Sequence, residues 1–214
     1  GDENDYLEDY YQVQLKDYSN QTWHISDYNA QDVHSYWCGD ESIDGYKDAW
    51  IQFIDIPSIP VESGWEFSAL IYYSIESQFN DDGSSAEVEG SCTDGWDSAN
   101  IRISEDGGTT WALLEDSSNP YNFECGYGWI YNDSEYESDQ SLNHLAKGWG
   151  GKSNDWLDFN TDLSAYAGNE VIIRFAFGSD PAWSTMDDPT LKGVFIDDIT
   201  IKDASGTNIV SYSA

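Results

Sequence analysis

Positive charge is what this chain has least of. Its 214 residues carry 8 Lys and Arg against 41 Asp and Glu, a formal net charge of −33. Such a polyanion repels phosphate backbones and anionic lipid, which argues against nucleic acid as a partner and against membrane insertion. Long apolar runs are missing too, since no stretch approaches the roughly 18–20 residues a spanning helix needs. No signal peptide is visible, and a start at Gly1 reads as a mature or excised segment.

Cysteine is scarce: Cys38, Cys92 and Cys125, with no Cys-x-x-Cys, give zinc-ribbon or thioredoxin-like chemistry no support. One disulfide is possible. Cys92 and Cys125 are the favoured pair, because both lie in Gly- and acid-rich stretches flanking the Ile101–Leu114 hairpin, leaving Cys38 as a buried thiol. Histidine is equally sparse, and His24, His34 and His144 lie far apart and outside any His-Glu-x-x-His. There is no Gly-x-Ser-x-Gly elbow and no phosphate loop. Carboxylates roughly 5–10 Å apart could form a glycosidase pair, but among 41 acids a pair says nothing. The chain therefore reads as non-catalytic. No stretch has the 3.6-residue period of a substantial helix.

Aromatic side chains, by contrast, abound: 10 Trp, 15 Tyr and 8 Phe. A disordered acidic tail lacks these, and this length is enough to bury a core. The surplus of acids has two compatible explanations. The protein is built for salty, halophilic or marine surroundings, or its carboxylates gather around calcium.

Along the chain, residues 1–20 read as an acid- and Tyr-rich opening segment with a first strand at Tyr11–Leu15. Short strands are expected at Thr22–Ile25 and at Ala49–Ile54, the latter broken by Pro57 and Pro60. Ser35–Glu41 reads as a loop, Glu66–Ile75 as a long buried strand, and Asn80–Ser85 as a turn. Ile101–Leu114 is the clearest hairpin, and its Ser104-Glu105-Asp106-Gly107-Gly108-Thr109-Thr110-Trp111 fits the Asp-box pattern, whose Asp holds a turn. A single copy excludes a propeller. Residues 116–155 form a long, acidic, aromatic insertion, and further strands follow at Trp156–Phe159 and Glu170–Phe177. The sum is one all-β domain over residues 1–214, an antiparallel β-sandwich or jelly roll.

One stretch stands out within this pattern. Lys192–Ile201 is a β-branched and aromatic run interrupted by Asp197 and Asp198. A carboxylate in such a strand must be paired, hydrogen-bonded or bound to a metal. Asp180, Asp187 and Asp188 lie in the preceding loop, and Asp40 and Glu41 can approach from the N-terminal half. These seven residues are the expected calcium ligands.

Tyr36-Trp37-Cys38-Gly39 with Gly45-Tyr46, the Asp97–Trp111 hairpin, Asp162–Gly168 and Gly193–Ile199 together resemble the MAM-like jelly-roll domains of secreted proteins. These include the modules trailing metallopeptidases of the immune inhibitor A type. The resemblance covers roughly residues 35–203. It implies a non-catalytic sandwich, often with bound calcium, attached to other domains of a larger extracellular or cell-surface chain. Related jelly rolls bind carbohydrate or protein. Trp129, Trp149 and Trp183, with Tyr127 and Tyr131, lie outside the expected strands and are the candidate rings for a glycan. The alternatives are an adhesion or assembly module and an accessory domain of a secreted peptidase.

Overall fold

The computed structural model describes residues 23–77, 94–132 and 145–214. The expected strand at 11–15 and turn at 80–85 lie outside them. The strands are β1 (Trp23–Ser26), β2 (Ser35–Cys38), β3 (Ile51–Pro60), β4 (Glu66–Ser74), β5 (Asp94–Gly95) and β6 (Ser98–Ser104). After β7 (Ala112–Leu113) and β8 (Cys125–Gly126) comes a short helix, α1 (Tyr127–Asn132). The chain ends with β9 (Leu157–Asp162), β10 (Glu170–Gly178), β11 (Gly193–Lys202) and β12 (Asn208–Tyr212).

Two antiparallel sheets pack face to face as a β-sandwich. The larger runs β1-β2-β11-β4-β9, with β12 also on β11, and the smaller runs β3-β10-β6-β7. Period-2 alternation sends Phe67, Ile71, Val194 and Ile196 inward from one sheet, and Ile54, Ile101, Ile173 and Phe175 from the other. β5 and β8 add a short parallel bridge.

Three segments depart from the sequence reading. Ser35–Cys38 is a fully buried strand rather than a loop, because it is sandwiched between β1 and β11. β3 runs through Pro57 and Pro60, since among the described residues it is an edge strand and its register against β10 slips between Val171 and Ile173, opposite Pro57. β12 was not expected at all. Its mostly exposed residues give little hydrophobic signal.

β11 is the hinge of the larger sheet's pairing. Val194–Ile196 pair with β2, and Ile199–Lys202 pair with β12, while β4 lies along the other side. Between them the register against β4 slips, since Asp197 faces Leu70 but Thr200 faces Ser68. Asp198 takes the left-handed conformation (φ 45°), which Asp tolerates better than most residues. The extra residue keeps Ile199 and Ile201 in the core beside Val194 and Ile196. Asp197 is buried, and its carboxylate accepts hydrogen bonds from Asp198 N (2.8 Å), Ser35 Oγ (3.3 Å) and Ala214 N (3.3 Å). At the strand's start Gly193 is required, because φ is 90° and a Cβ would stand 2.3 Å from the Cys38 carbonyl.

The Asp-box turn forms as expected. Asp106 Oδ1 accepts from Thr109 N (3.0 Å) and Thr110 N (2.8 Å), and Ser104 Oγ accepts from Gly108 N (2.9 Å). Gly107 and Gly108 supply the positive φ values.

Aromatic rings coat both outer faces. On the smaller sheet Arg174 lies 4.0 Å from the Trp111 ring and 4.4 Å from Phe53, with both its Nε and Nη2 on Asp55. Arg102 lies 4.4 Å from Trp129. On the larger sheet Tyr28, Trp37, Phe195, Tyr72 and Trp156 follow one another at 4.7–5.8 Å.

Asp197→Ala is expected to cost about 1–3 kcal/mol, since three donors lose their acceptor. Asp197→Asn should stay within about 1 kcal/mol of the parent, because the amide can serve both Ser35 and the backbone. Urea midpoints of the two variants check this.

Candidate metal centre

At one end of the sandwich, three strand termini deliver carboxylates to one place. β4 runs out through Ile75 to Glu76, β6 begins just after Asp97, and β10 ends just before Asp180. Gly178 pairs with Ser98, so the antiparallel register carries Asp180 to Asp97. Asp180 N donates to Asp97 Oδ1 at 2.9 Å. Glu76 N donates to Asp97 Oδ2 at 3.3 Å and to Tyr46 Oη at 3.0 Å. The Tyr46 hydroxyl donates a short hydrogen bond to Asp97 Oδ2.

One carboxylate oxygen from each of Glu76, Asp97 and Asp180 lies within 4.8 Å of the other two, the one such group of metal-ligating side chains among the described residues. Asp97 has 0% exposure and Asp180 6%. Burial pushes the Asp97 carboxyl up to about 8, against the hydrogen bonds from Tyr46 and the Asp180 amide. Asp180 is also raised, by burial first and by Asp48 to a lesser degree. Burial and the neighbouring Asp97 raise the Tyr46 phenol, which stays protonated as the donor.

The donor set is three hard oxygens. Ligands on one calcium at about 2.3–2.6 Å cannot lie more than about 5 Å apart, and the 4.8 Å spread meets that limit. Glu76, Asp97 and Asp180 would hold the ion. A cation there would offset the cost of burying these carboxylates, which Asp97 otherwise relieves by keeping a proton.

Of the expected ligands, the fold brings only Asp180 into this cluster. Asp197 serves the bulge, and Asp198 is exposed beside it. Asp187 Oδ2 accepts from Ser184 N (3.2 Å), and Asp188 Oδ1 from Thr190 N (2.8 Å) and Oγ1 (2.6 Å). Asp40 binds Ser42 and Lys47, and Glu41 pairs with His24 at 2.7 Å. Glu76 and Asp97 escaped the sequence reading. Their one signal was position, as acids at the ends of strands bounding the core.

The aromatic candidates need correction. Trp129 (1% exposed) and Trp149 (3%) are buried, so neither offers a face to a sugar. Trp149 packs on Tyr121, Tyr73 and Phe159 in the main core, and Trp129 lies against Phe53 and Arg102. Tyr127 is half-buried, edge-on to Trp96 at 5.7 Å. The Tyr131 side chain lies outside the described residues. Trp183 is exposed. Cys125 is disulfide-bonded and Cys38 is a buried thiol, while Cys92 lies outside the described residues.

The class defined here is an all-β sandwich with an acidic cluster at one end. No family model matches the chain. A stretch of 101 residues, 47% of the chain, is 30% identical to Bacillopeptidase F of Bacillus subtilis (strain 168). It covers 6% of that protein, so the likeness concerns a small part of a much longer relative. Among the described residues no helix is long and apolar enough to cross a membrane.

Without added metal, stability is expected to fall as pH rises from about 4 to about 8, since the native state holds the Asp97 proton after the unfolded chain has lost it. Asp180 and Asp197 act with the same sign. Asp40, Asp106, Asp162, Asp188 and Asp203 are lowered by their hydrogen bonds, so their contribution is lost only at more acid pH. Melting curves in chelator should therefore peak near about pH 4–5. Asp97→Asn should flatten the decline above that range.

Proposed function

We propose that this chain is a non-catalytic, calcium-stabilised recognition module of a larger secreted or cell-surface protein, of the accessory kind that accompanies peptidases. The observation that carries the reading is the fully buried Asp97 between Glu76 and Asp180, where two sheets and three strand ends meet. The sandwich fold supports it, as do the resemblance to MAM-like modules and the partial likeness to a much longer peptidase. In this role the metal rigidifies one end of the sandwich and takes no part in a reaction. Calcium suits the site because its ligands are all oxygens, with room in its 6–8 coordination for carbonyls and water.

Carbohydrate is a second reading for the ligand. It rests on an open cleft of about 390 Å³ whose lining includes Glu115, Asp116, Lys147 and Asn160, side chains that bond hydroxyls. A glycan array with and without chelator separates this from protein recognition.

Calcium at about a hundredfold excess over its dissociation constant should raise the melting temperature by roughly 5–10 °C, and EDTA should reverse the rise. Asp97→Asn and Glu76→Gln should abolish the calcium shift, while Asp187→Asn and Asp197→Asn keep it. An unchanged melting temperature across calcium and EDTA defeats the proposal.

A further inference from the structure

The loop between β10 and β11 is inside out. Its polar residues Ser184 (1% exposed) and Thr185 (5%) are buried, while Trp183 (46%) and Met186 (70%) stand in solvent. The buried pair is firmly held. Tyr46 N donates to Thr185 Oγ1 (2.8 Å), Thr185 N donates to Tyr46 O (3.3 Å), and Thr185 Oγ1 donates to Leu191 O (2.7 Å). Asp187 N and Asp188 N both return to Ser184 O at 3.0 Å, which closes a single turn beneath Met186. Trp183 itself sits at φ 64°, a left-handed conformation that bulky residues rarely adopt.

Two costs thus coincide at one spot, exposed apolar surface and backbone strain. The loop is anchored, so binding would order little that is not ordered already. Trp is the residue most enriched among interface anchors, and Met adapts to irregular partners.

Charge selects the partner. The adjoining loop packs Gly45 and Tyr46 against Thr185 and brings exposed Asp44 and Asp48, while Asp187 and Asp188 lie in the Trp183–Met186 loop itself. Of the lysines there, Lys47 is engaged by Asp40, Lys192 by the Asp44 carbonyl (3.1 Å) and Lys152 by Thr190 Oγ1 (2.6 Å). With a net charge of −33, a second copy of this chain or an anionic membrane is repelled, and a cationic surface is drawn in. We propose that Trp183 and Met186 form a docking knob for a basic segment of a partner protein, one that presents an apolar pocket or anchor flanked by Lys or Arg. This does not depend on the metal reading, although Asp180 lies at the base of the loop.

The test titrates the full chain, in calcium and separately in EDTA, with a synthetic amphipathic peptide of Leu and Lys, following the Trp183 indole resonance by NMR. Oligolysine of equal charge and a neutral oligosaccharide are the controls. Saturable binding of the Leu/Lys peptide is expected, weakened about tenfold or more by Trp183→Gly and by Met186→Ser. Trp183→Gly should melt no lower than the parent, because glycine adopts this φ without strain. The proposal is overturned if both variants bind the peptide like the parent, or if oligolysine binds as tightly. It is also overturned if the oligosaccharide alone moves the Trp183 signal, or if Trp183→Gly melts well below the parent. Binding that persists in EDTA separates this outcome from that of the calcium proposal.

Discussion

A carboxylate with no access to water holds one end of this molecule together. Asp97 accepts from Tyr46 ahead of β3, from the Glu76 amide beyond β4, and from the Asp180 amide beyond β10. Those contacts tie the larger sheet to the smaller one. An unpaired charge in that position would be among the costliest features a fold can carry. Holding a proton relieves that cost, and burial raises the Asp97 carboxyl accordingly. The stability of this end is therefore linked to the protonation of Asp97. The loop that brings Asp180 to Asp97 also carries the exposed Trp183 and Met186.

The scarcity of cations shapes the rest of the surface. Both arginines are used on one sheet face, where they lie over Trp111, Phe53 and Trp129 and where Asp55 accepts two hydrogen bonds from Arg174. Contacts of this kind are partly desolvated and lose less to salt than an exposed ion pair does. The opposite face is coated by a run of five rings ending at Trp156. Much of the aromatic content is thus spent on covering sheets that an acidic surface alone could not cover.

The architecture was largely legible in the residues, because alternation and turn chemistry are local signals. Ile101–Leu114 and Gly193–Ile201 declared themselves in that way. Ser35–Cys38 did not, since a four-residue strand buried on both faces shows no alternation and its Trp-Cys-Gly resembles a loop. Trp129 and Trp149 misled for a related reason, as segments without strand pattern can still be folded into the core. The acidic site was the least readable part. Each of its members is one acid among 41, and only the pairing of β10 with β6 shows that Asp97 and Asp180 are neighbours. The Asp197–Asp198 pair was conspicuous in sequence, yet its visible work is to shape a strand.

That bulge has an implication for how such a chain can vary over time. Strand neighbours alternate between core and exterior, and the one surplus residue at Asp198 restores the phase for everything after it. Losing a single codon there would turn Ile199 and Ile201 outward and Thr200 inward, whereas codons added to the distant turns would leave the interior unchanged. The length of this ribbon is therefore far less free to drift than its chemistry, and alignments of related chains should show gaps almost anywhere before they show one here.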